Sequence, residues 1–190
     1  MERRRALAPA MAHPARNAAS ANILSPSRIF FVTTKTSMGR RLLQSERNAS
    51  LLIDVLRSLV TEQKFKLHDF VIMPNHVHLL MTVEDEMTIE KAMQLIKGRF
   101  SHRLSHKYGH QGEVWQRGFS EVQVLGRESM MQHRAYIAMN PVKAGLVDSP
   151  EKYPYCFEFL ARKKAAGTKR RAEQALELEE AVAGAKAPVQ

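Results

Sequence analysis

One thiol, Cys156, is all that this chain of 190 residues carries. A lone cysteine excludes an internal disulfide framework and any zinc or iron–sulfur centre built from several thiolates. Long apolar runs are missing as well. None approaches the roughly 18 residues needed to cross a bilayer, so a membrane protein is not expected. The opening segment MERRRALAPAMAHPARNAASANILSPS lacks the continuous apolar stretch of a secretory signal. It loosely resembles an Arg-rich transit peptide, but its Ala, Pro and Arg content reads as a floppy basic extension. Internal repeats are absent.

Acidic residues are in deficit: 19 Asp and Glu face 29 Lys and Arg, for a net charge of +10. That excess favours a polyanion as partner, although it bears on association and not on fold. Much of it lies near the ends. Residues 1–22 carry four arginines against one glutamate, and residues 161–190 carry seven basic side chains against four acidic ones. A hydrophobic fraction of 44% excludes wholesale disorder. The expectation is a soluble, basic protein of a reducing compartment, with one domain at 23–160. A basic extension, 1–22, would precede it, and a charged flexible or weakly helical tail, 161–190, would follow. Arg170 to Ala183 can form a helix, but its apolar face is thin, so a frayed tail is the default.

Between the tails the pattern is dense. Arg28 to Thr36 is β-branched and aromatic and reads as a strand. Leu51, Leu52, Val55, Leu56 and Leu59 fall at helical spacing within residues 47–64. Leu67 to Met73 and His76 to Val83 read as two strands joined by Pro74-Asn75, a link short enough for an antiparallel hairpin. Ile89, Ala92, Met93, Ile96, Phe100 and Leu104 form the stripe of a second helix. Glu121 to Leu125 reads as a strand and Ser129 to Met139 as a third helix, stopped by Asn140-Pro141. The order strand-helix-strand-strand-helix-strand-helix predicts an α+β fold of ferredoxin-like type. Its antiparallel sheet would carry helices on one face.

His76-Val77-His78 is the first chemical candidate. Alternate side chains of a strand share a face, so both imidazoles would project together while Val77 points away. Two such imidazoles can grip one divalent metal. Chance alone supplies about 0.3 such pairs in a chain with this many histidines, so the pair by itself decides nothing. Tyr136 and Asn140 add to it, because four residues apart they lie on one helical face. An Asn140 carbonyl beside two imidazoles makes a neutral ligand set with open positions, suited to Mg²⁺ or Mn²⁺ rather than zinc. The alternative is that Tyr136 packs in the core and Asn140 caps the helix. His133, one turn before Tyr136, is a candidate proton acceptor or an ordinary solvated histidine. His102 and His106 are also at i, i+4 spacing but lack an evident third ligand.

The strings VIMPNHVHLL (71–80), IKGRFSHRL (96–104), GEVWQRGF (112–119) and YIAMNPVKAGLV (136–147) together resemble the single-tyrosine HUH transposases, the branch of REP-associated tyrosine transposases most of all. The resemblance runs in order from Arg28 to Phe157. It implies an HUH-endonuclease arrangement of the α+β fold, with Tyr136 as nucleophile and His76, His78 and Asn140 as ligands of the metal. It also implies single-stranded DNA with a hairpin or palindromic repeat as substrate, and a prokaryotic, cytoplasmic and nucleoid-associated setting. Tyr153-Pro-Tyr-Cys156-Phe157 departs from the Tyr-x-x-Ser-Ser usual in the family. Tyrosine suits reversible cutting, since its attack exchanges one phosphodiester for another and rejoining needs no ATP.

The second helix is the candidate DNA surface. Lys97, Arg99, Arg103 and Lys107 fall away from its apolar stripe, and Glu113 is the only acid between residues 91 and 117. A solvated helix face explains the same charges. Trp115, with Arg117 and Phe119 beside it, can stack on unpaired bases or anchor its loop to the core. A homodimer is left open. The rival readings are a non-cutting DNA-binding relative of such a transposase and an HxH phosphohydrolase acting on nucleotides.

Overall fold

The spacing of apolar residues sets which segments pair and which coil. The computed structural model describes residues 27–84 and 87–184. The basic extension at 1–22 and the last six residues of the tail lie outside the described residues. The order is β1 (Ser27–Lys35), α1 (Glu46–Thr61), β2 (Lys66–Met73), β3 (His76–Glu84), α2 (Ile89–Tyr108), β4 (Ser120–Gln123), α3 (Gly126–Lys143) and α4 (Phe157–Gly184). The strands form one antiparallel sheet in the order β2-β3-β1-β4. Thus β2 and β3 are the hairpin expected from the short link at Pro74-Asn75.

The sheet is covered on both faces, not on one as expected. Alternation along the strands divides the core. Phe30, Val32, Phe70, Ile72, Val77, Leu79 and Met81 meet α1 and α2 on one side. Val71, Met73 and Leu80, with Ile29 and Phe31, meet Ile137 of α3 and the segment around Tyr153 and Cys156 on the other. The clue was β3 itself, HVHLLMTVE, whose middle residues are all buried. A strand buried on both faces loses the polar alternation that would mark a single core.

Helix ends follow capping chemistry. Ser45 and Thr88 accept hydrogen bonds from the Asn48 and Lys91 amides (3.4 and 3.2 Å) at the starts of α1 and α2. For α3 the stop expected at Asn140-Pro141 is not where the helix ends. Proline lacks one N–H, which costs a single bond in a last turn, and the true terminator is Gly145 at φ 66°. The Leu146 amide donates to the Pro141 carbonyl (2.9 Å) and the Gly145 amide to that of Val142 (2.9 Å), the paired bonds of a Schellman end. At the other end α4 runs from Phe157 to Gly184, across the boundary placed at 160/161.

The string that departs from the family pattern has a structural place. The Ile72 amide donates to the Tyr155 carbonyl (2.9 Å), and the Tyr153 hydroxyl donates to the Ile72 carbonyl (2.7 Å). Val71 and Cys156 form an isolated bridge. The segment therefore closes the free edge of β2, where unpaired backbone groups would otherwise face outward.

Asp69 sits where the β2–β3 register shifts, and burial raises its carboxyl to about 6. A carboxyl raised above its unfolded value opposes folding once ionised. Asp69→Asn should therefore raise the thermal midpoint at pH 7.5, with the gain fading below about pH 4. Thermal melts across that range check it, and a gain that persists at pH 3.5 would exclude the charge as cause.

Candidate active site

At the start of β3 the period of two sorts the side chains. Val77 enters the α1–α2 core, while His76 and His78 emerge together on the other face with ring centroids 4.8 Å apart. Register with β1 sets Lys35 opposite His76 and Thr33 opposite His78. Across from them α3 presents one stripe of side chains, at positions 133, 136, 140 and 143. The Tyr136 ring meets the His78 ring edge-on at 5.3 Å, and the Asn140 amide donates to the Tyr136 carbonyl (3.1 Å). His76, His78, Tyr136 and Asn140 are thus gathered in one place from two elements.

Electrostatics prepare the imidazoles as neutral donors. Burial, reinforced by His76 and Lys35, drives His78 down to about 3. Burial and Lys35 lower His76 as well. The His76 Nδ1 lies 2.7 Å from Asn75 Oδ1, which can only accept, so Nδ1 carries the proton and Nε2 keeps its lone pair. His78 Nδ1 lies 2.8 Å from Thr33 Oγ1. With Nδ1 donating there, Nε2 is the free atom of that ring too. That Nε2 is buried without a hydrogen-bond partner among the described residues. Asn140 approaches the same ring closely enough to favour its charged form.

A buried imidazole nitrogen with nothing to bind is costly unless a ligand completes it. Two imidazoles and an amide oxygen fit a divalent cation, and their neutrality leaves its charge for an anion. Among the described residues no group of three or more His, Cys, Asp or Glu side chains is placed to hold a metal.

Phe31 was not singled out in the sequence. Its ring lies 5.3 Å from His78, 4.6 Å from His133 and 5.7 Å from Tyr136, wedged among all three. Strand alternation was the available signal, since Phe31, Thr33 and Lys35 share the face that the HxH pair occupies. His133 donates from Nδ1 to the Ser129 carbonyl (2.7 Å), an ordinary helical bond, and its ring rests on Phe31. The other tyrosines stand elsewhere. Tyr153 is buried and pushed up to about 12, chiefly by burial.

The candidate DNA surface on α2 lies against α1, across the sheet from Tyr136, and is partly committed to the fold. Lys97 donates to the Gln116 and Gly118 carbonyls (both 2.8 Å). Arg99 grips Glu62 with two nitrogens, one at 2.9 Å, and donates to Ser58 Oγ (3.0 Å). Arg103 and Lys107 remain on a groove of about 370 Å³ with His102, His106 and Asp54, where the two imidazoles stack at 6.0 Å. Trp115 is 9% exposed, packs on Phe100 and donates Nε1–H to the Lys97 carbonyl (3.1 Å), so the structure makes it a core anchor. Arg117 is exposed in the loop beside it.

The family described as "Transposase IS200 like" matches residues 30–140, a span that holds the HxH pair, Tyr136 and Asn140. The chain belongs to the IS200-like transposase family. Its members are enzymes that cut and join DNA. A Haemophilus influenzae protein assigned as a REP-associated tyrosine transposase is 28% identical over 128 residues, which are 58% of this chain and 72% of that one. A REP-associated tyrosine transposase of Escherichia coli K12 is 27% identical over 95 residues, covering 50% of this chain and 54% of the relative. A solved structure of a REP-associated tyrosine transposase bound to a REP hairpin superimposes with a TM-score of 0.58 at 24% identity, over 83% of this chain and 87% of that one. The transposase fold is therefore shared. Among the described residues no helix is long and apolar enough to cross a membrane.

Phe31→Leu keeps bulk but removes the flat face that spaces the three rings. In this transposase the strand-cleavage rate at saturating DNA should fall about 10-fold or more, since small misplacements of reacting groups are costly. The thermal midpoint should drop by only a few degrees, about what a loss near 1 kcal/mol produces. Equal cleavage rates for variant and parent would show that the rings hold their places without Phe31.

Proposed function

We propose that this transposase nicks and rejoins single-stranded DNA beside a hairpin or imperfect palindrome, with Tyr136 as nucleophile and a divalent metal, Mg²⁺ or Mn²⁺, at His76, His78 and Asn140. The observation that carries the reading is the edge-on approach of Tyr136 to His78, 5.3 Å between rings, beside an imidazole nitrogen left without a partner. The solved relative that holds a REP hairpin supports the substrate class.

In the proposed step the Tyr136 oxygen forms a bond to the scissile phosphorus and the P–O3′ bond breaks. The phosphate stays on the 5′ side as a phosphotyrosine, and the phenolic proton is balanced by the proton that the departing 3′ oxygen gains. Rejoining runs the same exchange backward from a 3′-OH. A divalent cation bound by the two imidazoles and the amide would supply charge that polarises the phosphate and steadies the leaving oxygen. The chain itself does the positioning. Asn75 and Thr33 turn the two rings, Phe31 spaces them from α3, and the helix fixes Tyr136 and Asn140 one turn apart. Such preorganisation lowers the barrier because no reorientation is needed at the moment of reaction.

The test is incubation of the full chain with labelled hairpin-bearing single strands and Mn²⁺, followed by a denaturing gel. The parent should give a covalent protein–DNA band that Tyr136→Phe abolishes while retaining DNA affinity. His78→Ala, or chelator added to the parent, should also remove it. A band that survives in Tyr136→Phe would exclude this residue as the attacking group.

On this reading Arg103 and Lys107, with Arg117 in the neighbouring loop, meet the strand's phosphates; none of the three is in an ion pair among the described residues. Replacing Arg103 and Lys107 together should flatten the slope of log K against log salt by about 1.4, near 0.7 per lost single-strand contact. A salt titration beside the parent reads this directly. An unchanged slope would move the strand to another surface.

A further inference from the structure

We propose that Lys35 and Lys143 are the phosphate-binding residues of this site, one on the imidazole side and one on the phenol side of the scissile linkage. The inference rests on the transposase reading above and assigns what holds the substrate's charge. Lys143 lies two turns beyond Tyr136 on the same stripe of α3, and its Nζ stands 5.5 Å from the centre of the Tyr136 ring. Lys35 ends β1 directly opposite His76 in the β1–β3 register, with its side chain exposed. Its charge is felt at both imidazoles, where it disfavours their protonation.

The rest of the site makes these cations specific in meaning. Among the described residues, those that meet there bring imidazole, amide, phenol, hydroxyl and phenyl groups, none of them acidic. Neither lysine forms an ion pair among the described residues, whereas Lys66, Arg99, Lys152 and Arg162 all do. A pair of unpaired ammonium groups flanking a nucleophile and two neutral imidazoles is arranged for an anion. The ring of Tyr136 keeps one of them close, because an ammonium is attracted to an aromatic face. A phosphodiester engaged by the Tyr136 oxygen falls within reach of that flexible four-carbon side chain, and Lys35 meets it from the other side. As the P–O bond to tyrosine forms and the P–O3′ bond breaks, negative charge builds on the non-bridging oxygens. Fixed cations favour that state over the ground state.

The test compares the full-length parent, Lys35→Met, Lys143→Met and Lys143→Arg on hairpin-bearing single strands, with either an ordinary phosphate or a neutral methylphosphonate at the scissile position. On the phosphate, each Met variant should slow adduct formation at saturating DNA about 10-fold or more, and Lys143→Arg should recover most of the rate. On the methylphosphonate, which has lost the charge these lysines meet, parent and Met variants should differ by less than about 2-fold. Lys64→Met, which removes one exposed charge just past the end of α1, should match the parent on both. Equal losses on the two substrates would assign the lysines a structural role and overturn the inference. So would undiminished rates on the phosphate while the parent reacts normally. A parent that forms no adduct at all would instead overturn the transposase reading beneath it.

Discussion

Everything at the site depends on the register of β3. The strand lies between β1 and β2 and is pinned on both sides, with His78 opposite Thr33 on one neighbour and Val71 on the other. Because side chains alternate strictly, a slip of one residue would carry both imidazoles into the α1–α2 core and bring Val77 out. Two cores guard against that slip, since Val77, Leu79 and Met81 fill one and Leu80 the other. The burial of β3 on both faces is thus what holds two polar rings in position at its end.

The second constraint is electrical. Burial favours the neutral form of both imidazoles, and among the described residues the charges felt there are cationic, with no carboxylate. Metal centres built on carboxylates spend part of the ion's charge on the protein. A neutral donor set would spend none, leaving the charge of a bound cation to attract an anion. Among the described residues the ion pairs lie on α1–α2, on the β2–β3 rim, in the segment between α3 and α4, and on α4.

Local rules were legible in the sequence where one element decides the outcome. The HxH alternation and the four-residue step from Tyr136 to Asn140 are properties of a strand and a helix, and their two groups do meet in space. Features set by partners distant in the chain were not legible. Arg99 reads as a free cation on α2 until Glu62, 37 residues earlier, is seen to hold it. Trp115 finds Lys97 and Phe100 only because its loop folds back. Phe31 acquires meaning from three rings on two other elements. Pro141 misled for a different reason: the proline rule holds in a helix interior, whereas here the last turn tolerates it and Gly145 supplies the stop. The helix through the tail is faint in the sequence because its apolar face is thin. The helix starts within the packed segment, beside Cys156, Phe159 and Leu160, and so is nucleated there.

The imidazoles lie on β3 and Tyr136 on α3, with the whole of α2 and β4 between them in the chain. Tyr136 is 58 residues beyond His78, and nothing local brings them together. Contacts of such long sequence separation form only after the intervening chain has found its place. During synthesis the histidines therefore emerge well before Tyr136, and the two groups can meet only after α3 has followed. A fragment truncated before α3 would carry the histidine pair without the ring that meets it. The topology thus assembles this cluster of rings late, once β1, β3 and α3 are all in place.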